Sequence, residues 1–185
     1  TINAANVTAT EALSVGDGSV TASKVTAKKT LSVTGGTINA ANVAVTEAMS
    51  IAGGTIYTGT GEGTISAGSI NISAGSVTGS DITIATTGNY EQTEGKIASD
   101  VATINAKNMT IKGGSITGKN VNISADEQVQ LQKGSITVQN SNAGQLTIGA
   151  GNVLHNGAAI TADKATINAV SGISLTSGSL TAQEA

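Results

Sequence analysis

The stretch Thr1-Ile2-Asn3-Ala4-Ala5-Asn6-Val7 returns unchanged as Thr37-Ile38-Asn39-Ala40-Ala41-Asn42-Val43, and a diverged copy, Ser19-Val20-Thr21-Ala22-Ser23-Lys24-Val25, lies midway. The step is 18 residues. Within it, apolar residues fall at Ile2, Val7, Ala9, Leu13 and Val15 in the first copy and at Ile38, Val43, Val45, Met49 and Ile51 in the third. Val7 and Ala9 are two positions apart, as are Leu13 and Val15, and alternate side chains of a strand share one face. A helix needs apolar spacings of three and four sustained over several turns, and these are absent. Each copy therefore reads as three short strands joined by tight corners.

The opening residue of the unit is traced along the whole chain as Ile2, Val20, Ile38, Ile56, Val77, Ile97, Ile116, Ile136, Ile160 and Leu180. Between Ile136 and Ile160 the residues Leu146, Ile148 and Val153 admit more than one phasing. Two residues before each opening stands Gly18, Gly36, Gly54, Gly75, Gly95, Gly114, Gly134 or Gly178, with Ala158 the one departure. A glycine recurring at one place predicts a corner with positive φ. One residue before each opening stands a Ser or Thr, broken by Lys96 and Ala159.

One coil cannot bury its own apolar face, but stacked coils can, each strand pairing in parallel with its equivalent one coil away. The expected fold is all-β: a right-handed parallel β-helix, with three short strands per coil and about nine coils of 18–24 residues. Residues 1–185 form a single solenoid domain. Nine coils at the parallel-strand spacing give a rod on the order of 43 Å long. Later coils read as longer at one corner, from Ile123 to Val129 and from Ile167 to Ile173, against Val45 to Met49. That reading puts Ser124–Gln128 and Asn168–Gly172 on one edge of the rod. Asn6, Asn42, Asn108, Asn120 and Asn152 precede strand starts and are candidates for stacked amides.

Composition fits a thin core. Ala, Thr, Gly, Ser and Asn fill 112 of 185 positions, aromatic residues are 1 %, and Pro, Cys, Trp, Phe and Arg are absent. Pro would remove a ladder donor. Without Cys there is neither a disulfide framework nor a thiolate metal site. Nine Lys against twelve acids, with no Arg, argue against nucleic-acid binding through a basic surface. No apolar run approaches the roughly 18 residues that span a bilayer. The absence of an initiator Met or leader is read as a segment or processed form of something larger.

Gly114-Ser115-Ile116-Thr117-Gly118-Lys119-Asn120-Val121-Asn122-Ile123-Ser124-Ala125, echoed at Gly134-Ser135-Ile136-Thr137, resembles the haemagglutinin repeats of filamentous-haemagglutinin-type exoproteins. These are the two-partner-secretion adhesins and contact-dependent inhibition stalks of Gram-negative bacteria. The resemblance covers nearly all of the chain and implies an extended adhesin shaft exported to the cell surface. The first three coils are shorter than that family's usual repeat, and neither a secretion domain nor an effector domain is seen.

Asp17, Asp81, Asp100, Asp126 and Asp163 are scattered in the repeat frame, so no general acid/base pair is expected. His155 is the sole imidazole and is read as a surface or corner residue, not a ligand or base. Gly16-Asp17-Gly18 is a single echo of a calcium β-roll without its repeat. Lys28-Lys29 is a solvated corner. Tyr90 is phased with Val129 and Ile173, and Gln92 with Leu131, so Tyr90 fills the core or lies in a bulged loop. A single Ser/Thr rank at the openings does not make the doubled Thr face of an ice-binding solenoid. No catalytic residue, cofactor or metal is expected. The functional expectation is a rigid structural or adhesive shaft at the bacterial surface, without nucleic acid or membrane insertion. Its partners would be other coils, copies of itself end to end, or ligands on a host or neighbouring cell. The alternatives are a filament subunit stacking head to tail or, behind it, an ice-binding solenoid or a polysaccharide-binding or polysaccharide-cleaving β-helix.

Overall fold

The computed structural model describes residues 1–139 and 143–184. Among these, every strand pairing is parallel and there is no helix; the chain winds as a β-solenoid of about eight turns. The first coil shows the plan, with strands Ile2–Asn3, Asn6–Ala9 and Leu13–Val15. Later strands run through the corners, as in Val101–Ile111 and Asn120–Leu131.

The predicted column of openings is present in register from Ile2 to Ile160. Ile2 pairs with Val20, Val20 with Ile38, Ile38 with Ile56, and so on through Val77, Ile97, Ile116, Ile136 and Ile160. From Ile38 to Ile160 each member is at most 1 % exposed. Burying one such aliphatic side chain stabilises by about 1.5–3 kcal/mol. A second column runs Val25, Val43, Ile65, Ile84, Ile104, Ile123, Ile148, and a third runs Leu31, Met49, Ile70, Tyr90, Met109, Val129, Val153. The open phasing after Ile136 is thereby settled, with Leu146 on Val121, Ile148 on Ile123 and Val153 on Val129. Residues 140–142 of that coil lie outside the described residues.

The length change does not fall where the sequence placed it. Ile123 stacks in the column of Val43, not of Val45. The extra residues enter at the first corner, between the opening and the second side. Five positions separate Ile38 from Val43, whereas seven separate Ile116 from Ile123. The lengthened side adds one inward residue per coil, namely Ile82, Ala102, Val121 and Leu146, all buried. The cause of the error is the strand's period of two. The row Val121-Ile123-Ala125 offers two equally apolar pairs, and spacing alone cannot choose between them.

The corner glycines also divide in two. Gly75, Gly95, Gly114 and Gly134 take φ of 79°, 79°, 75° and 86°, as predicted. Gly18, Gly36 and Gly54 do not; at Gly36 and Gly54 the need is for space, since a Cβ on Gly36 would run into the carbonyl oxygens of Gly16 and Gly18 and one on Gly54 into that of Gly36, whereas Gly18 in the first coil has open space around it. Where Ala158 breaks the series, the preceding Gly157 supplies the left-handed residue with φ of 110°.

Candidate functional site

From Val20 to Ile160, each opening strand buries its central Ile or Val and turns the two flanking side chains outward. One outward rank is Ser19, Thr37, Thr55, Ser76, Lys96, Ser115, Ser135 and Ala159; the other is Thr21, Asn39, Tyr57, Thr78, Ala98, Thr117, Thr137 and Thr161. The second rank corrects the expectation of a single hydroxyl row. Tyr57, Lys96 and Ala98 interrupt the face at mid-rod. Within it, Thr55 Oγ1 and Ser76 Oγ share a hydrogen bond of 3.0 Å.

Recesses are cut into several of the corners. A groove of about 550 Å³ gathers Ser124–Asp126, Gly149–Gly151, Ile167–Val170 and Ile173. The two segments placed on one edge from sequence do lie together, with Asp126 the only charged group in the lining. A cleft of about 370 Å³ at the first corner holds Asp100 and Lys119, whose Oδ2 and Nζ are 3.0 Å apart, and is flanked by Gly79 and Gly118. Ser99 lines the same cleft, and its Oγ is buried without a hydrogen-bond partner.

The acids are dispersed. Among the described residues, no three His, Cys, Asp or Glu side chains come together in a metal-holding group. Asp17 sits on a corner, Asp126 lines the groove, and Asp163 is buried, its Oδ2 accepting the Gly144 amide at 2.8 Å. Spacing missed one juxtaposition: Glu62 stands directly opposite Asp81 in the next coil. The signal was hidden because this coil has an irregular 21-residue step. Both carboxylates are exposed.

Further ion pairs join neighbouring coils. Lys29 of the Lys28-Lys29 corner meets Glu11, Lys107 Nζ lies 3.2 Å from Glu127, and Lys112 Nζ lies 3.0 Å from Glu91. A hydrogen bond from Asn108, and then Lys107, hold the Glu127 carboxyl below its usual range. These pairs are exposed, so each contributes little. Replacing Lys112 by Ala is expected to move unfolding stability by less than about 1 kcal/mol, as read from a urea titration. The predicted amide stack is split between columns. Asn108 and Asn152 share one column with Asn89 and Gln128, and Asn108 Nδ2 donates to Asn89 Oδ1 at 3.4 Å. Asn6 and Asn42 share another that Lys24 interrupts, and Asn120 stands elsewhere, on Val101.

The interior carries a polar network that composition could not reveal. Tyr90 is in the core, not in a bulged loop, and is 1 % exposed. Its hydroxyl donates to Gln92 Oε1 at 2.9 Å. Gln92, fully buried, donates from Nε2 to Gly95 O and to Ser115 O, each at 3.3 Å. His155, expected at the surface or a corner, is instead buried in the same column as Leu131, with Nε2 2.9 Å from Ala158 O, because that carbonyl partners its ring nitrogen inside the core.

Comparison with family models, with curated proteins and with solved structures finds no match.

Proposed function

We propose that the protein works as a rigid structural shaft, a β-solenoid spacer of a bacterial cell-surface or extracellular protein, and not as an enzyme. The observation that carries this reading is the continuous register from Ile2 to Ile160, with parallel pairing on all sides. A hydrogen-bond ladder along the whole axis resists bending, because bending must stretch bonds and open a close-packed core. Small hydroxyl and amide side chains on the outer faces keep such a rod hydrated. The resemblance of residues 114–125 to haemagglutinin-type repeats supports the finer reading, an exported adhesin stalk that holds a tip away from the cell. It works through contact with its own coils and with ligands on other cells, with neither cofactor nor metal.

The test places the chain between a surface anchor and a fluorescent tip. Eight turns should hold the tip at one height, about 40 Å above the anchor. A Gly/Ser chain of equal length should give a broad spread of heights. A spread as broad for the solenoid as for the Gly/Ser chain would end the spacer reading.

The last coil favours a second reading, a head-to-tail filament. Val170, Ile173, Leu175 and Leu180 are 92 %, 49 %, 57 % and 38 % exposed, and at the other end Ile2 is 46 % exposed. Cover of the kind that the internal coils give one another would come from further coils of the same polypeptide or from the first coil of a second copy. Electron microscopy over a concentration series separates the readings: a filament subunit forms ordered fibres of uniform width.

A further inference from the structure

The innermost position of the third side forms its own column: Val15, Val33, Ile51, Ile72, Gln92, Ile111, Leu131, His155. Six of the eight are aliphatic and interchangeable. Contacts among them cannot tell one register from another, because sliding a strand by two residues returns the same apolar face to the core. A solenoid of near-identical coils is therefore open to slippage. Gln92 breaks this degeneracy. Its amide reaches two carbonyls on two successive coils, Gly95 O and Ser115 O, while the Tyr90 hydroxyl occupies its Oε1. Only one register leaves every polar atom of the group partnered; a slid strand strands a buried amide and a buried phenol in an apolar core. His155 repeats the device in the same column, also bonding the carbonyl three residues on, at Ala158.

We infer that Tyr90 and Gln92 act as a register pin, selecting one frame of stacking between the coil 77–97 and the coil 97–116 and adding specificity rather than stability.

Because the chain has no Cys, introduced pairs report register without interference. Glu91 and Thr110 are partners in neighbouring coils, at about the 4.8 Å strand spacing. The diagonal pairs Glu91 with Asn108 and Glu91 with Lys112 sit about 8 Å apart at the Cα atoms by strand geometry, beyond the roughly 7 Å that a disulfide can bridge. In the native background, only E91C/T110C should oxidise. In a Tyr90→Phe/Gln92→Leu background, the diagonal pairs should oxidise roughly fivefold or more above their native level, while the urea midpoint stays equal or rises. Each single variant should lower the midpoint, and the double variant should recover it, since each single change leaves one buried partner unpaired. The inference is overturned if the diagonal pairs stay silent in the double variant. It is also overturned if the double variant does not fold, since the network would then supply stability.

Discussion

Replacing Ile116 by Asp is expected to unfold the coils around it. Ile116 is fully buried, stacked between Ile97 and Ile136 at mid-column. Among the described residues no Lys is buried, so a carboxylate there has no ammonium in the core to pair with, and an uncompensated buried charge costs several kcal/mol. A single domain has about 5–15 kcal/mol to lose. In a stacked array, the loss also removes the interface energy of both neighbouring coils, because stability is the sum of repeat and nearest-neighbour contributions. Far-UV circular dichroism should show a large loss of strand signal, and limited proteolysis should begin near the substituted coil. The control is Asn105→Asp, which introduces the same charge on an exposed, outward position of the same solenoid. It should shift stability by no more than about 0.5 kcal/mol. Equal effects from the two variants would mean that the column of openings is not the core.

Raising the pH should unfold the protein through Tyr90. Burial pushes its phenol well above the ordinary tyrosine range. In the unfolded chain the phenol ionises near pH 10, whereas in the folded core it keeps its proton. Above that pH the unfolded state binds fewer protons than the native state, so stability falls as pH rises. The stabilisation is complete below about pH 10 and is lost by about 1.4 kcal/mol for each further unit while the folded phenol remains neutral. Urea midpoints at pH 9 and pH 11 measure it. The Tyr90→Phe variant starts lower at neutral pH, because Gln92 Oε1 loses its donor, but it should show a much flatter decline across the same interval. If the wild-type protein and the Tyr90→Phe variant decline in parallel, Tyr90 is not the group responsible.

The two predictions rest on features of very different legibility. Ile116 was readable as core because the information is local: a Gly-Ser-Ile-Thr corner, repeated along the chain, marks an inward residue wherever it occurs. Tyr90 could be phased onto the column of Val129, but its companion network could not be foreseen. The Ser115 carbonyl that receives the Gln92 amide lies 23 residues away, and nothing in the intervening spacing marks it. The corner recesses were half legible. Ser124–Gln128 and Asn168–Gly172 are read onto one edge, and Ser124–Asp126 and Asn168–Val170 do share the groove, yet the reading rests on a difference in corner length that lies elsewhere. The facing of Glu62 and Asp81, and the second hydroxyl rank beside the Ser/Thr openings, were likewise products of register.

What the polypeptide determined by itself was parity and period. Alternation sets which side chains turn inward, and recurrence every 18–24 residues sets which of them fall in one column, so the solenoid and its aliphatic axis follow from the residues alone. What only the tertiary structure decided was the frame in which each coil meets the next. An alternating pattern is unchanged by a shift of two positions, so the corner that absorbs added residues, the carbonyls that accept the Gln92 amide and the neighbours on each outer face are chosen by packing and hydrogen bonding between coils.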